Sequence, residues 1–202
     1  MAIKNEREYR MITAPAIQFR AKEDEEYVVE GYATTFDDPY VLYQYDGKDY
    51  KEEINSKALD EADMSDVIFL YNHEGMVFAR QSNGSLKLTI EEKGLHVRAD
   101  LSLTEESRRM YESIKAGLVT QMSWAFTVDE DSYNQKTLTR SVLKVRKVYD
   151  VSAVSIPANP NTDISARSYF DGVIEEERRS ERARQEVIER IKNKLKGGQP
   201  NE

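Results

Sequence analysis

Two neighbouring stretches of the chain alternate between apolar and polar residues with a period of two. In residues 85–91 every second residue from Leu86 onward is a leucine or isoleucine, and in residues 95–101 every second residue is apolar. A short polar and glycine-containing segment, residues 92–94, separates the two stretches. The pattern predicts a β-hairpin with one apolar face. Such a hairpin must bury that face against other parts of the chain.

The rest of the body also has the pattern of short strands. Further strands are predicted at residues 27–36, 118–128, 139–149 and 151–156. Residues 67–71 form a continuous apolar run, which predicts a strand that is buried on both faces. One helix is predicted at residues 104–116, because Thr104 can cap it and apolar residues recur on one side. We therefore expect an α+β fold that is mainly β.

The C-terminal part of the chain differs in composition from the rest. Residues 167–202 carry a net charge of +1, whereas residues 1–166 carry −9. The charged part contains one narrow apolar stripe, formed by Val187, Ile188, Ile191 and Leu195. We interpret residues 1–166 as one domain with a core and residues 167–202 as a charged helical or flexible tail. A solvated helix and a partner-binding or dimerising helix both fit this tail.

The composition argues against several classes of function. The net charge of −8 disfavours non-specific nucleic-acid binding, which needs basic surface against the phosphates. The absence of cysteine excludes thiolate catalysis and sulfur-based zinc sites. The sequence has no glycine-rich phosphate loop and no paired-histidine metal motif, so we expect neither a cofactor nor a metal. Residues 1–20 contain no apolar segment of the kind found in secretory signals, and the sequence has no run of roughly 20 apolar residues, so we expect neither a secretory signal nor a membrane partner.

Only 2 histidines are available to a mechanism that needs an imidazole base near neutral pH. His96 lies between Leu95 and Val97, which belong to the apolar face of the hairpin, so we expect His96 to be exposed. His73 follows the apolar run of residues 67–71, at a strand end where a side chain can project into a cleft. A structural role for His73 is the alternative interpretation.

Ser123 is the candidate nucleophile in the strand predicted at residues 118–128. The large residues of that strand share one face, whereas Ser123 lies on the other face among small and polar residues. Such a face suits the floor of a groove that a substrate backbone approaches closely, although an exposed serine without a role is the alternative. Asp150 interrupts an otherwise strand-like stretch and is the best candidate to orient a histidine, a strand-end aspartate being the alternative.

Four segments together resemble the prohead, or capsid-maturation, serine proteases of tailed bacteriophages. They are Glu30-Gly31-Tyr32-Ala33, Phe69-Leu-Tyr-Asn-His73-Glu74, the segment from Ile114 to Phe126 with its glycine and Met122-Ser123, and Tyr149-Asp150-Val-Ser-Ala-Val-Ser-Ile-Pro157-Ala158-Asn159-Pro160. The segments stand in the order of the family and at plausible spacing. The resemblance extends from about residue 27 to residue 166.

The resemblance implies a fold similar to that of the herpesvirus assemblins, a mainly antiparallel β-barrel flanked by helices. It implies Ser123 as the nucleophile, His73 as the general base and Asp150 as the third member of a triad. The assemblins have a second histidine, placed after the serine, as their third member. This chain has no histidine after Ser123, so a carboxylate is the third group that it could supply.

The resemblance also implies a serine endopeptidase that cleaves the scaffolding segment of the phage major capsid protein, or a separate scaffold, and itself. This would take place inside the assembling prohead, in the cytoplasm of the host cell. Self-association of the chain is a further expectation. The charged tail and the acidic body favour one alternative, a catalytically inactive scaffold or assembly factor with the same fold. A β-rich binding module without a viral role is another.

Overall fold

The chain forms two β-sheets and two helices in the computed structural model, which describes residues 6–11, 20–21, 26–155 and 164–196. The strands are β1 (Glu8–Met11), β2 (Arg20–Ala21), β3 (Val28–Thr35), β4 (Tyr40–Tyr45), β5 (Lys48–Ile54), β6 (Ile68–Tyr71), β7 (Glu74–Arg80), β8 (Leu86–Glu91), β9 (Gly94–Asp100), β10 (Gln121–Asn134) and β11 (Thr139–Val154). The helices are α1 (Glu105–Lys115) and α2 (Ile164–Lys196). The prediction of an α+β, mainly β, fold is confirmed, and so is the hairpin, as β8 and β9.

The larger sheet has seven strands and is mixed. Its path runs β1-β10-β11-β5-β4, and β6 joins β7 to β11. Because β11 is 16 residues long, it pairs in parallel with β5 near its start and with β6 near its end. The smaller sheet has the order β2-β3-β9-β8 and is antiparallel. The described strands thus form two sheets and no closed barrel, and their pairing is mainly antiparallel, with two parallel pairs that both involve β11.

The main hydrophobic core contains residues of both sheets. Met122, Trp124 and Phe126 of β10 are fully buried and belong to one cluster with Val29 and Val97 of the smaller sheet. Burial of side chains of this size contributes about 1.5–3 kcal/mol each. This packing confirms that the face of β10 with the large residues contacts the core, and it fixes which face of the strand is left for Ser123.

The helix α1 begins and ends as its sequence indicates. The hydroxyl oxygen of Thr104 accepts a hydrogen bond from the backbone N–H of Ser107 at 3.0 Å, which caps the first turn. Gly117 has a φ of 72°, a left-handed conformation that ends helices and that glycine adopts without strain. The chain then enters β10 four residues later. α1 therefore leads directly into the strand that carries Ser123.

Only the first part of α2 packs on the body of the protein. Phe170 and Ile174 are buried in a second apolar cluster that includes Tyr43 of β4. Three residues of the predicted apolar stripe are about half exposed, Val187, Ile188 and Ile191. The side chain of Leu195 lies outside the described part of the chain. The predicted boundary between residues 166 and 167 falls inside the continuous helix α2. The division of the chain at this boundary stays a prediction. Neither described helix could cross a membrane, since none is both long and apolar enough.

A buried ion-pair network fastens β1 to the larger sheet. The side chains of Arg10 and Glu52 are fully buried, and Nε of Arg10 donates to Oε1 of Glu52 at 2.6 Å. Arg140 donates to Oε2 of Glu52 at 2.9 Å and to Glu8 at 2.7 Å, while the hydroxyl of Tyr40 donates to Oε1 of Glu52 at 2.6 Å. Burial by itself raises the pKa of Glu52, but the two guanidinium groups outweigh it and hold this pKa at about 2.

We expect Arg10→Ala to lower the free energy of unfolding by about 3 kcal/mol, because it leaves a buried carboxylate without its nearest cation. Arg109→Ala is the matched control. Arg109 pairs with Glu105 on the surface of α1, where both side chains are more than 60% exposed, so its loss should cost less than about 0.5 kcal/mol. Urea unfolding of the two variants and the parent measures both effects. Equal losses would show that the buried network does not hold β1.

The same network predicts a loss of stability in acid. Glu52 has a pKa of about 2 in the folded protein, against a usual value of 4.5. Its contribution to stability is therefore complete above about pH 4.5 and declines as the pH falls towards about 2. In Glu52→Gln this titration is absent, so the difference in unfolding free energy between parent and variant should shrink over that range. Urea unfolding at several pH values tests this, and a pH-independent difference would contradict it.

Candidate active site

His73 lies in the tight turn that joins β6 to β7. The turn consists of Asn72 and His73, whose φ angles are 52° and 62°, and the strands close around it with Tyr71 paired to Glu74. Two consecutive left-handed residues are typical of the type I′ turns that connect hairpin strands. Asparagine and histidine adopt this conformation more readily than most residues. The turn therefore holds the imidazole at the end of β6 instead of within a strand.

The side chain and backbone of Asn72 attach this turn to the end of β11. Its backbone N–H donates to the carbonyl oxygen of Ala153 at 2.9 Å. Its side-chain oxygen accepts from the backbone N–H of Ser155 at 3.2 Å. Since β11 also carries Asp150, the turn with His73 and the strand with Asp150 are held as one unit.

Ser123 and Asp150 come from two neighbouring antiparallel strands. Ser123 of β10 lies opposite Ser152 of β11, and Ala125 lies opposite Asp150. Directly opposite residues of an antiparallel pair share a face, as do residues two apart along a strand. Ser123, Ser152 and Asp150 therefore project from the same face of the sheet. This face is the one opposite Trp124 and the main core.

His73 lies between the two side chains and contacts both. Its Nε2 atom is 2.6 Å from Oγ of Ser123, and its Nδ1 atom is 2.6 Å from Oδ1 of Asp150. Ser123 and Asp150 are buried, whereas the His73 side chain keeps 15% of its surface exposed. A hydroxyl, an imidazole and a carboxylate in this order can move a proton from the hydroxyl to Nε2, provided that Nδ1 carries the other proton. The structure thus brings all three predicted site residues together.

Ser123 is less accessible than its sequence pattern indicated. The predicted open face of β10 is buried at Ser123, Ala125 and Thr127. One reason is that the turn with His73 folds over this face. Another is β1, whose Tyr9 lies opposite Ala125 and packs its ring edge-on against the His73 imidazole, with 4.7 Å between ring centres. The face of β10 that carries Ser123 is therefore covered by the turn of His73 and by β1, and its use as the floor of a groove stays a prediction.

The backbone of β1 also contacts the candidate nucleophile. Oγ of Ser123 is 3.0 Å from the carbonyl oxygen of Arg10, in addition to its contact with His73. A hydroxyl has one proton, so it can donate to only one of these two acceptors at a time. No motif in residues 8–11 pointed to this role. The pairing of β1 with β10 joins residues more than 110 positions apart, and local patterns carry no signal for such a contact.

Ser152 is a second residue of the site that sequence reasoning did not single out. Its side chain is fully buried, and its hydroxyl oxygen lies 2.9 Å from Oδ1 of Asp150 and 3.2 Å from Nδ1 of His73. Period-two counting from Asp150 would have placed it on the same face of β11. The signal was therefore present in the sequence, but it became meaningful only with the pairing to Ser123.

The other predicted features lie apart from this cluster. His96 belongs to β9 of the smaller sheet and projects from the side opposite its buried neighbours, as expected. It is partly buried instead of exposed, because the ring of Tyr32 packs against it with 5.2 Å between ring centres. The segment Pro157 to Pro160 lies outside the described residues. Within the described residues, no group of three or more acidic, histidine or cysteine side chains is arranged to hold a metal ion.

Comparison with known proteins matches the chain to a family. A family model described as caudovirus prohead serine protease matches residues 15–173, which is 159 of the 202 residues. His73, Ser123 and Asp150 fall inside the matched range, whereas β1 precedes it. No curated protein and no solved structure matches the chain.

The short contact between Nδ1 of His73 and Asp150 predicts a ring N–H proton that resonates far downfield of the backbone amides. A charge-assisted hydrogen bond to a carboxylate is stronger than one to a neutral amide, so Asp150→Asn should move this signal upfield or remove it. His96→Asn is the control and should leave the signal in place. Proton NMR on protein labelled with ¹⁵N-histidine makes the assignment. An unchanged downfield signal in Asp150→Asn would contradict the pairing.

Proposed function

This chain belongs to the caudovirus prohead serine protease family, and from this premise we propose that it is an endopeptidase of the Ser-His-Asp type. Ser123 is the nucleophile, His73 the general base and Asp150 the group that orients His73. The observation that carries the proposal is the unbroken series of 2.6 Å contacts from Ser123 Oγ through the imidazole to Asp150. Family membership supports the reaction class, and these contacts support the roles of the residues.

The proposed chemistry follows from the order of the groups. Nε2 of His73 takes the proton of Ser123 as Oγ attacks the carbonyl carbon of the scissile peptide bond. Asp150 accepts the Nδ1–H bond, which keeps Nε2 free to act as a base and stabilises the imidazolium that forms. His73 then donates the proton to the leaving amine. A water molecule, activated by His73 in the same way, releases the acyl group from Ser123.

In the proposed mechanism the hydroxyl of Ser123 donates to His73, and it can exchange between this acceptor and the carbonyl oxygen of Arg10. Both acceptors are within hydrogen-bond distance in the structure, at 3.0 Å and 2.6 Å. The exchange therefore needs only a rotation of the O–H bond about the Cβ–Oγ bond. The shorter contact favours His73, and a peptide that enters the site meets a nucleophile that is already paired with its base.

We propose the scaffolding segment of the phage major capsid protein, or a separate scaffold, as the substrate, together with the chain itself. Cleavage would take place within the assembling prohead in the cytoplasm of the host. The family description, which names the prohead, supports this setting. A complete hydroxyl–imidazole–carboxylate arrangement favours an enzyme over an inactive scaffold, because a scaffold gains nothing from burying three polar groups in mutual contact.

Three further expectations stay predictions. The first is the relation to the herpesvirus assemblins, whose closed barrel the two sheets of the described strands do not form. The division at residue 166 is another. The third is self-association, for which the half-exposed apolar residues Val187, Ile188 and Ile191 of α2 offer a surface.

Co-expression of the chain with its cognate capsid protein tests the proposed function. The parent should cleave the capsid protein, and Ser123→Ala and His73→Ala should abolish cleavage, since loss of either group costs about 10⁶-fold in kcat in triad enzymes. Asp150→Asn should fold normally and slow cleavage by about 10⁴-fold. His96→Ala is the control and should cleave like the parent. Cleavage by Ser123→Ala at the parental rate would rule out the proposed nucleophile.

A further inference from the structure

The hydroxyl of Ser152 lies where the histidine turn and the aspartate meet. It accepts a hydrogen bond from the backbone N–H of His73 at 3.2 Å and donates one to Oδ1 of Asp150 at 2.9 Å. It is also 3.2 Å from Nδ1 of His73. Ser152 thus contacts both the backbone and the side-chain environment of His73. No other described side chain is hydrogen-bonded to both His73 and Asp150.

The position of Ser152 is one where an apolar residue would be expected on structural grounds. It lies near the end of a central strand between Val151 and Ala153, and all three residues are fully buried. A buried hydroxyl costs about 1–3 kcal/mol unless it is hydrogen-bonded. The polar partners that satisfy Ser152 are His73 and Asp150. The hydroxyl of Ser152 is therefore satisfied by hydrogen bonds to His73 and Asp150, which an apolar side chain at this position could not make.

The hydrogen bonds of this cluster have one consistent assignment. The single proton of Ser152 is directed to Oδ1 of Asp150, so its lone pairs are free to accept the backbone N–H of His73. The Nδ1–H group of His73 also donates to Oδ1 of Asp150. Oδ1 thus accepts two hydrogen bonds, which fix the rotation of the carboxylate. His73 has a left-handed backbone conformation, and its backbone N–H donates a hydrogen bond to the same buried hydroxyl.

We propose that Ser152 is a positioning residue for this site, which sets the carboxylate of Asp150 and the turn of His73 relative to each other. The inference rests on the proposed function, because it assigns Ser152 a role in the same reaction. Ser152 acts through its neighbours and exchanges no proton with the substrate. Misplacement of a catalytic group by about 1 Å costs on the order of 10²-fold in rate. Loss of the hydroxyl should therefore lower kcat and leave KM nearly unchanged.

The test compares Ser152→Ala with a matched control, Ser107→Ala. Ser107 is also fully buried and also donates one hydrogen bond, to the carbonyl oxygen of Phe78 at 2.8 Å, but it lies on α1 and makes no contact with the site. Both variants should lose similar unfolding free energy. Only Ser152→Ala should lose kcat, by about 10–100-fold. The substrate is a peptide that spans a site cleaved in the capsid protein, and the full chain is used throughout.

A second pair of variants distinguishes the effect of the hydroxyl from the effect of side-chain shape. This pair remains informative if Ser152→Ala fails to fold. Ser152→Thr and Ser152→Val have side chains of the same shape, and only threonine keeps the hydroxyl. The proposal expects kcat of Ser152→Thr to exceed that of Ser152→Val by about 10-fold or more. Equal kcat values in this pair would overturn the positioning role.

A double-mutant cycle then shows whether Ser152 acts through Asp150. In an Asp150→Asn background, loss of the Ser152 hydroxyl should lower kcat by less than about 3-fold, because the group that it positions is already impaired. Additive losses would overturn the proposal. If Ser152→Ala keeps the parental kcat while Ser123→Ala is inactive, the positioning role is wrong and the proposed function stands. If Ser123→Ala itself cleaves the peptide, the proposed function fails.

Discussion

The register between β10 and β11 determines how Ser123, Ser152 and Asp150 lie relative to one another. It places Ser123 opposite Ser152 and Asp150 opposite Ala125. A slip of one residue would turn Ser123 towards the core and Trp124 towards the site. The burial of Trp124 and its neighbours opposes such a slip, because each large side chain would lose its apolar surroundings. The packing of the core therefore fixes which side chains face the candidate site, although the core residues themselves lie on the other face of β10.

The strand β11 carries residues of both the buried ion-pair network and the candidate site. Near its start, Arg140 binds Glu52 and thereby joins the network that holds β1. Near its end, Asp150 contacts His73. β1 returns to the same site, since Tyr9 packs against the imidazole. The ion pairs thus contribute to the site indirectly, because they hold an edge strand that shields His73 on one side.

The parts of the fold that depend on local pattern were predictable, and those that depend on distant pairing were not. The hairpin of β8 and β9, the capped helix α1 and the core face of β10 follow from periodicity. The resemblance to a known family supplied the roles proposed for Ser123, His73 and Asp150, which residue patterns alone left open. Neither source indicated the contact of β1 with Ser123 or the parallel pairing of β11. Such contacts are set by tertiary packing, and the periodicity of a strand does not indicate which distant strand it pairs with.

The turn that carries His73 is fixed at two residues by the strands on either side. Both turn residues have positive φ, and the flanking strands are already paired at Tyr71 and Glu74. An added residue would change the class of turn and rotate the imidazole away from both of its partners. Among natural or engineered variants, this hairpin should therefore tolerate substitutions along β7 far better than insertions or deletions. The length of this turn therefore sets where the imidazole of His73 lies.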